Sequence, residues 1–172
     1  MEKWSHPILS ELRPLDGVER GRLLLEVPAG LIDVPFAITR YADQNEFTSK
    51  EEYHVTVVGK KTQERLLAEG MLDKVSELLE QTPQWSVVSL DDILLLRNFE
   101  TDDSGDQVIE ESIIQLVTLS GLNAIYDEIR ETTGLSISTP PAHITLFTKN
   151  ADRGIGLYSN EQLTEYTVKK LV

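Results

Sequence analysis

Tyr53-His54-Val55-Thr56-Val57-Val58 decides the reading of this chain, together with its echo, His143-Ile144-Thr145-Leu146-Phe147-Thr148. Both stretches are rich in β-branched residues, and Gly59 closes the first, so each reads as a strand. Side chains of a strand alternate between its two faces. His54 and Thr56 therefore share a face, about 7 Å apart at about 3.3 Å per residue. Val55 and Val57 point the other way, into a core. The second stretch divides alike, with His143 and Thr145 on one face and Ile144 and Leu146 on the other. The chain holds only three histidines. Two of them in the same His-x-Thr setting, half a chain apart, predict two related lobes that each lend one strand to a shared cleft.

Outward from these strands the order of elements follows. Before the first lie Arg22 to Val27 and Pro35 to Tyr41, both read as strands, and a polar stretch from Asp43 to Glu52. Residues 1–34 otherwise read as an irregular segment punctuated by proline and glycine. After the first strand, Thr62 to Gln81 has helical spacing, with Leu66, Leu67, Met71, Val75, Leu78 and Leu79 on one face and Pro83 as the stop. Trp85 to Leu90, Asp91 to Phe99 and Ser112 to Leu119 read as strands, with Thr101 to Gln107 as a hairpin tip. Leu122 to Thr132 reads as an amphipathic helix ended by Gly134. Ser159 and Gln162 have the spacing of a capping box. Glu165 to Val172 fits helix or strand. Hairpins mixed with helices, without a strict βαβ rhythm, predict an α+β fold with antiparallel or mixed sheets around a central cleft and helices outside.

The 172 residues suit one domain with its own core. An apolar fraction of 40% and a charged fraction of 26% are ordinary for a globular protein. The absence of cysteine excludes disulfides, thiolate metal sites and cysteine nucleophiles, and fits a reducing compartment. No signal peptide or membrane-length apolar run is read, so the expectation is a cytoplasmic, soluble monomer with no membrane partner. The net charge of −13 makes the chain a poor general binder of long nucleic acid, whose phosphates need neutralising. A small anion or the end of a strand remains a suitable substrate.

Two imidazoles and two hydroxyls around one point form a kit for phosphoester hydrolysis. With an ordinary pKa of about 6.5, one ring can be neutral while the other is protonated near pH 7. The neutral ring takes a proton from water and the protonated ring gives one to the leaving alkoxide. The hydroxyls donate to the non-bridging oxygens. No metal or other cofactor is expected. A two-histidine metal site is the weaker reading, because catalytic zinc usually takes three protein ligands.

The paired HVTV and HITL motifs resemble those of the two-histidine (2H) phosphoesterase superfamily, which includes cyclic nucleotide phosphodiesterases and 2′-5′ RNA ligase-like proteins. The likeness runs from Pro35 onward. It implies a bilobal α+β fold with pseudo-two-fold symmetry. It also implies metal-independent attack on a 2′,3′-cyclic or related phosphodiester of a nucleotide or RNA end. His54 and His143 take the catalytic roles by that resemblance, and Thr56 and Thr145 bind the phosphate. The alternatives are a 2′-5′ ligase-like activity and a nucleotide- or phosphate-binding sensor without turnover.

Weaker signals surround the motifs. Phe147 has the parity of His143 and is a candidate platform for a base, as are Tyr53 and Tyr158. Arg153 and Arg40 are candidate anion holders. Lys60 and Lys149 each follow a motif histidine by six residues and read mainly as solvated lysines. Gly154-Ile155-Gly156 lacks the third glycine of a dinucleotide fingerprint and reads as a loop.

Overall fold

The computed structural model describes residues 10–14, 21–81 and 85–172. Eight strands are described: β1 (Ser10–Pro14), β2 (Leu23–Val27), β3 (Thr48–Ser49), β4 (Tyr53–Val58), β5 (Trp85–Thr101), β6 (Gln107–Leu119), β7 (His143–Lys149) and β8 (Thr167–Lys170). They form one sheet in the order β1-β2-β4-β7-β6-β5-β8, with β3 against β7. Every pairing in it is antiparallel. The fold is therefore α+β, and the two motif strands lie next to each other in the middle of the sheet. β1 also pairs with the start of β5, so the sheet curls on itself.

Four helices pack on one face: α1 (Phe36–Gln44), α2 (Lys60–Ala68), α3 (Leu72–Gln81) and α4 (Leu122–Thr133). Their buried residues, including Ile38, Leu66, Val75, Ile125 and Ile129, join Leu25, Val55, Ile113 and Ile144 in one core. Each fully buried aliphatic side chain there contributes about 1.5–3 kcal/mol. The opposite face carries the motif histidines and a smaller cluster. In that cluster Leu94, Leu96 and Ile114 of the sheet meet Ile155 and Leu157 of the loop after β7. Leu163 and Tyr166 of α5 (Asn160–Tyr166) complete it. Among the described residues no helix is long and apolar enough to cross a membrane.

Several expectations need correction. Pro35 to Tyr41 is not a strand but the start of α1, with Pro35 as its N-cap residue. The β-branched Ile38 and Thr39 favour a strand, but Ile38 and Ala42 lie one turn apart and are buried together. Tertiary burial outweighs local propensity here. The helix read over Thr62 to Gln81 is two helices, broken at Gly70, whose φ of 68° leaves the right-handed helical region. The proposed stop at Pro83 lies outside the described residues. The strand read over Arg22 to Val27 is β2, but the rest of residues 1–34 is not irregular throughout, since it holds β1 and a short 3-10 turn over Ala29–Leu31. The last stretch is helix and then strand, changing over at Tyr166.

Other expectations hold. Gly134 ends α4 at a φ of 69°, and Ser159 Oγ accepts from the Gln162 backbone N–H at the head of α5.

Both motif strands carry a bulge at the same offset. β2 sets Leu24 opposite Thr56 but Leu23 opposite Val58, so Val57 is the extra residue. β6 sets Ile114 opposite Thr145 but Ile113 opposite Phe147, so Leu146 is the extra residue. Each lies three residues after its histidine. A bulge interrupts alternation and leaves ladder groups unpaired. Hence Val57 and Val58 are both in the core, as are Leu146 and Phe147. Tyr126 of α4 answers the first bulge, its buried hydroxyl donating to the Val57 carbonyl at 2.7 Å. Tyr126→Phe is expected to cost about 1–2 kcal/mol in urea unfolding, because the carbonyl then lacks its donor. An unchanged midpoint would contradict that role.

Candidate active site

β4 and β7 pair antiparallel with Val55 opposite Ile144, and both of these side chains are fully buried in the core. Extending this register by one residue each way sets His54 across from Thr145 and Thr56 across from His143. All four are half-buried on the face away from the main core. Directly opposed side chains stand about 4.5–5.5 Å apart at Cβ, and diagonal ones about 7–8 Å. The two imidazoles thus occupy one diagonal of a small square and the two hydroxyls the other. A tetrahedral group above its centre meets both rings from opposite sides.

The histidines differ in their surroundings. His143 Nδ1 lies 3.0 Å from the Pro141 carbonyl oxygen. A carbonyl only accepts, so Nδ1 carries the proton and the neutral ring offers its Nε2 lone pair. His54 instead feels the charge of two cations. Burial, then Lys50, then Arg22 lower its pKa, and Glu52 opposes them. Burial also lowers the pKa of His143, against the hydrogen bond to Pro141, and a charge on His54 lowers it further. Each ring is therefore close enough to sense its surroundings' charge.

The sign of the resulting pH dependence follows from linkage. The unfolded chain takes up protons at these rings near pH 6.5, before the folded chain does. Their contribution to stability is complete above that value and is lost as pH falls through the lowered folded values. Proton NMR of the two rings is expected to show both titrating below pH 6.5. A ring titrating above it would contradict this environment.

The loop after β7 folds back across the site. Gly154 lies so close to Thr145 that a Cβ on it would collide with Thr145 Oγ1. At the other strand, a Cβ on Gly59 would touch Thr56 Cγ2 at 3.4 Å and Tyr158 Cε1 at 3.9 Å. The segment from Gly154 to Tyr158 therefore runs from one motif threonine to the neighbourhood of the other. Ser112 anchors it by accepting from the Ile155 backbone N–H. Lys61 stands over the Tyr158 ring, 4.8 Å from its centre.

A groove of about 430 Å³ opens beside His54, lined by Thr48, Ser49, Lys50, Glu52, Thr148 and Asp152 among others. Lys50 Nζ donates to the Asp152 carbonyl, tying β3's end to the loop after β7. Among the described residues no three His, Asp or Glu side chains gather as a metal site would need.

The structure brings His54, Thr56, His143 and Thr145 together and sets Tyr158 in the neighbourhood of Thr56, but it leaves the other weaker candidates apart from them. Phe147 is 5% exposed and sits in the core on the helix side, because the bulge at Leu146 reverses its parity. It is no platform for a base. Thr148 turns to the histidine side in its place and lines the groove. Arg153 is exposed and lines a neighbouring groove of about 610 Å³ among Glu100, Asp102 and Glu110. Lys149 bonds the Asn45 carbonyl and lies over Phe47 on the helix side. Lys60 pairs with Glu64 in solvent. Tyr53 packs on the main core and Arg40 is exposed on α1.

Sequence reasoning missed Arg22 and Lys50, the two cations that act on His54. Arg22 has the parity of Leu24 and Glu26, but only the β2–β4 register carries it to the motif. No family model, curated protein or solved structure matches this chain.

Proposed function

We propose that this protein is a metal-independent phosphodiesterase acting on a 2′,3′-cyclic or related phosphodiester of a nucleotide or RNA end. One observation carries the reading: the antiparallel register of β4 and β7 gathers both His-x-Thr pairs on one face, each followed by a bulge at the same offset. The symmetry supplies two proton-transfer groups on opposite sides of one phosphorus.

The chemistry then divides by environment. His143 is the base. Its Nε2 takes a proton from a water molecule as that oxygen bonds to phosphorus. His54 is the acid. Bound anionic substrate offsets Lys50 and Arg22 and favours its protonated form. Its proton passes to the ribose oxygen as the phosphorus–oxygen bond to that oxygen breaks. Thr56 and Thr145 hold the non-bridging oxygens. The product is a ribose monophosphate with the neighbouring hydroxyl free.

The test is incubation of the full chain with a panel of 2′,3′-cyclic nucleotides in EDTA, with products separated by position of the phosphate. Turnover to a single monophosphate isomer is expected. Binding without turnover would replace the enzyme by a nucleotide sensor, and turnover abolished by EDTA would overturn the metal-free mechanism.

A further inference from the structure

The pseudo-symmetry that relates the two motifs also relates their flanking strands, and it breaks at one informative place. β2 stands to β4 as β6 stands to β7, with matching bulges. Leu24 and Ile114 lie opposite the two motif threonines, while Glu26 and Leu116 lie opposite the two motif histidines. Two residues before Leu24 and Ile114 come Arg22 and Ser112. Ser112 is buried and spends its hydroxyl on the loop above Thr145. Arg22 shows no comparable hydrogen bond among the described residues. Its Nε is buried without a hydrogen-bond partner.

A guanidinium N–H removed from water and left unpaired is costly, and such groups are rare without a reason. Arg22 alternates with the core residues Leu23, Leu25 and Val27, so it lies on the motif face with Leu24 and Glu26. Its charge acts on His54. The other charges that act on that ring are Lys50 and Glu52, with Glu26 opposite on β2 and His143 on the diagonal. Lys50 already donates to a carbonyl. That leaves a planar, multi-donor cation at the edge of the square, with a fork suited to two oxygens of one phosphate.

We infer that Arg22 is the residue that grips the non-bridging oxygens of the substrate's phosphodiester from the β2 side. The inference rests on the phosphodiesterase reading and assigns that site its anion-binding cation. The substrate's charge thereby sits against the His54 side of the square. The His143 side, backed by Ile114 and Leu116, faces the less charged part.

The test uses the full chain, with inorganic phosphate and a nucleoside 2′-monophosphate as probes and the ring signals of both histidines as the readout. In the wild type both probes are expected to shift His54 and His143. Arg22→Gln is expected to weaken phosphate binding by about tenfold or more. It is also expected to raise KM more than it lowers kcat, and to move the His54 titration upward in the free protein. Arg22→Lys keeps the charge without the fork, and is expected to recover the His54 titration but only part of the binding. Melting curves of both variants separate folding from binding.

A folded Arg22→Gln that binds phosphate as the wild type does would overturn the inference and leave the two-histidine site standing. Full binding by Arg22→Lys would overturn the claim for the fork. Wild-type rings that ignore both probes would count against the phosphodiester site itself, and with it against Arg22.

Discussion

Either His54→Ala or His143→Ala is expected to lower kcat on a 2′,3′-cyclic nucleotide by about 10²–10⁴, the scale of a lost general acid or base. The variants should unfold close to the wild-type midpoint. Both rings are half-buried polar groups on the face away from the main core, and the substitutions leave Val55 and Ile144, which hold the two strands to that core, in place. The double variant is expected to be little worse than either single one, because the two rings serve the same step and the loss of one already stops the concerted transfer. Two single losses that simply multiply in the double variant would mean that the rings act on separate steps. KM should change less than kcat, since the threonine hydroxyls and the cations that act on His54 remain to hold the anion.

Gly154→Ala is expected to destabilise the fold by about 1–3 kcal/mol, the usual cost of overpacking, and to lower kcat/KM by about 10²-fold. The new methyl would collide with Thr145 Oγ1 and press on Cγ2 and Cβ at 2.9 and 3.0 Å. Thr145 is branched at Cβ and stiff, and it stands in a central strand, so neither side yields easily. A control separates stability from function. Thr145→Ala removes the hydroxyl and the methyl that meet the intruding carbon. The pair Gly154→Ala with Thr145→Ala is therefore expected to regain most of the stability and none of the activity. Denaturant midpoints and initial rates on the three variants check this. If Gly154→Ala alone folds and turns over like the wild type, the loop does not sit on Thr145.

The site was legible where it depended on local pattern. His54 with Thr56 and His143 with Thr145 declare their shared faces through the two-residue period alone, and the α+β class follows from the mixture of hairpins and helices. What failed was whatever depended on non-local pairing. Parity places Phe147 with His143, yet one extra residue at Leu146 sends it to the core. No turn residue marks that bulge, and Ile144 to Thr148 reads as unbroken strand. Arg22 is invisible for the same reason: its strand lies far from the motif in sequence and reaches it only through the register with β4. The Pro35 to Tyr41 error has another source. Ile38 and Thr39 favour strand, and the helical signal, Ile38 with Ala42, is only two residues deep.

The Gly154-Ile155-Gly156 loop shows a third limit. As a dinucleotide fingerprint it fails, and loop is the correct description. Its contribution is steric, since Gly154 lets the chain cross Thr145 and Ile155 and Leu157 anchor the crossing in the second apolar cluster. Close approach of backbone to a side chain leaves no mark in sequence beyond the glycine itself.

The most direct test of the account is the pH profile of kcat/KM for a 2′,3′-cyclic nucleotide in EDTA, measured on the wild type and on each histidine variant. This ratio reports the ionisations of the free protein. A bell is expected with both limbs on the acid side of the ordinary imidazole value, because burial lowers both rings. Each single variant is expected to lose one limb. A profile that is flat through this range, or one whose two limbs survive in either variant, would contradict paired acid–base catalysis by His54 and His143.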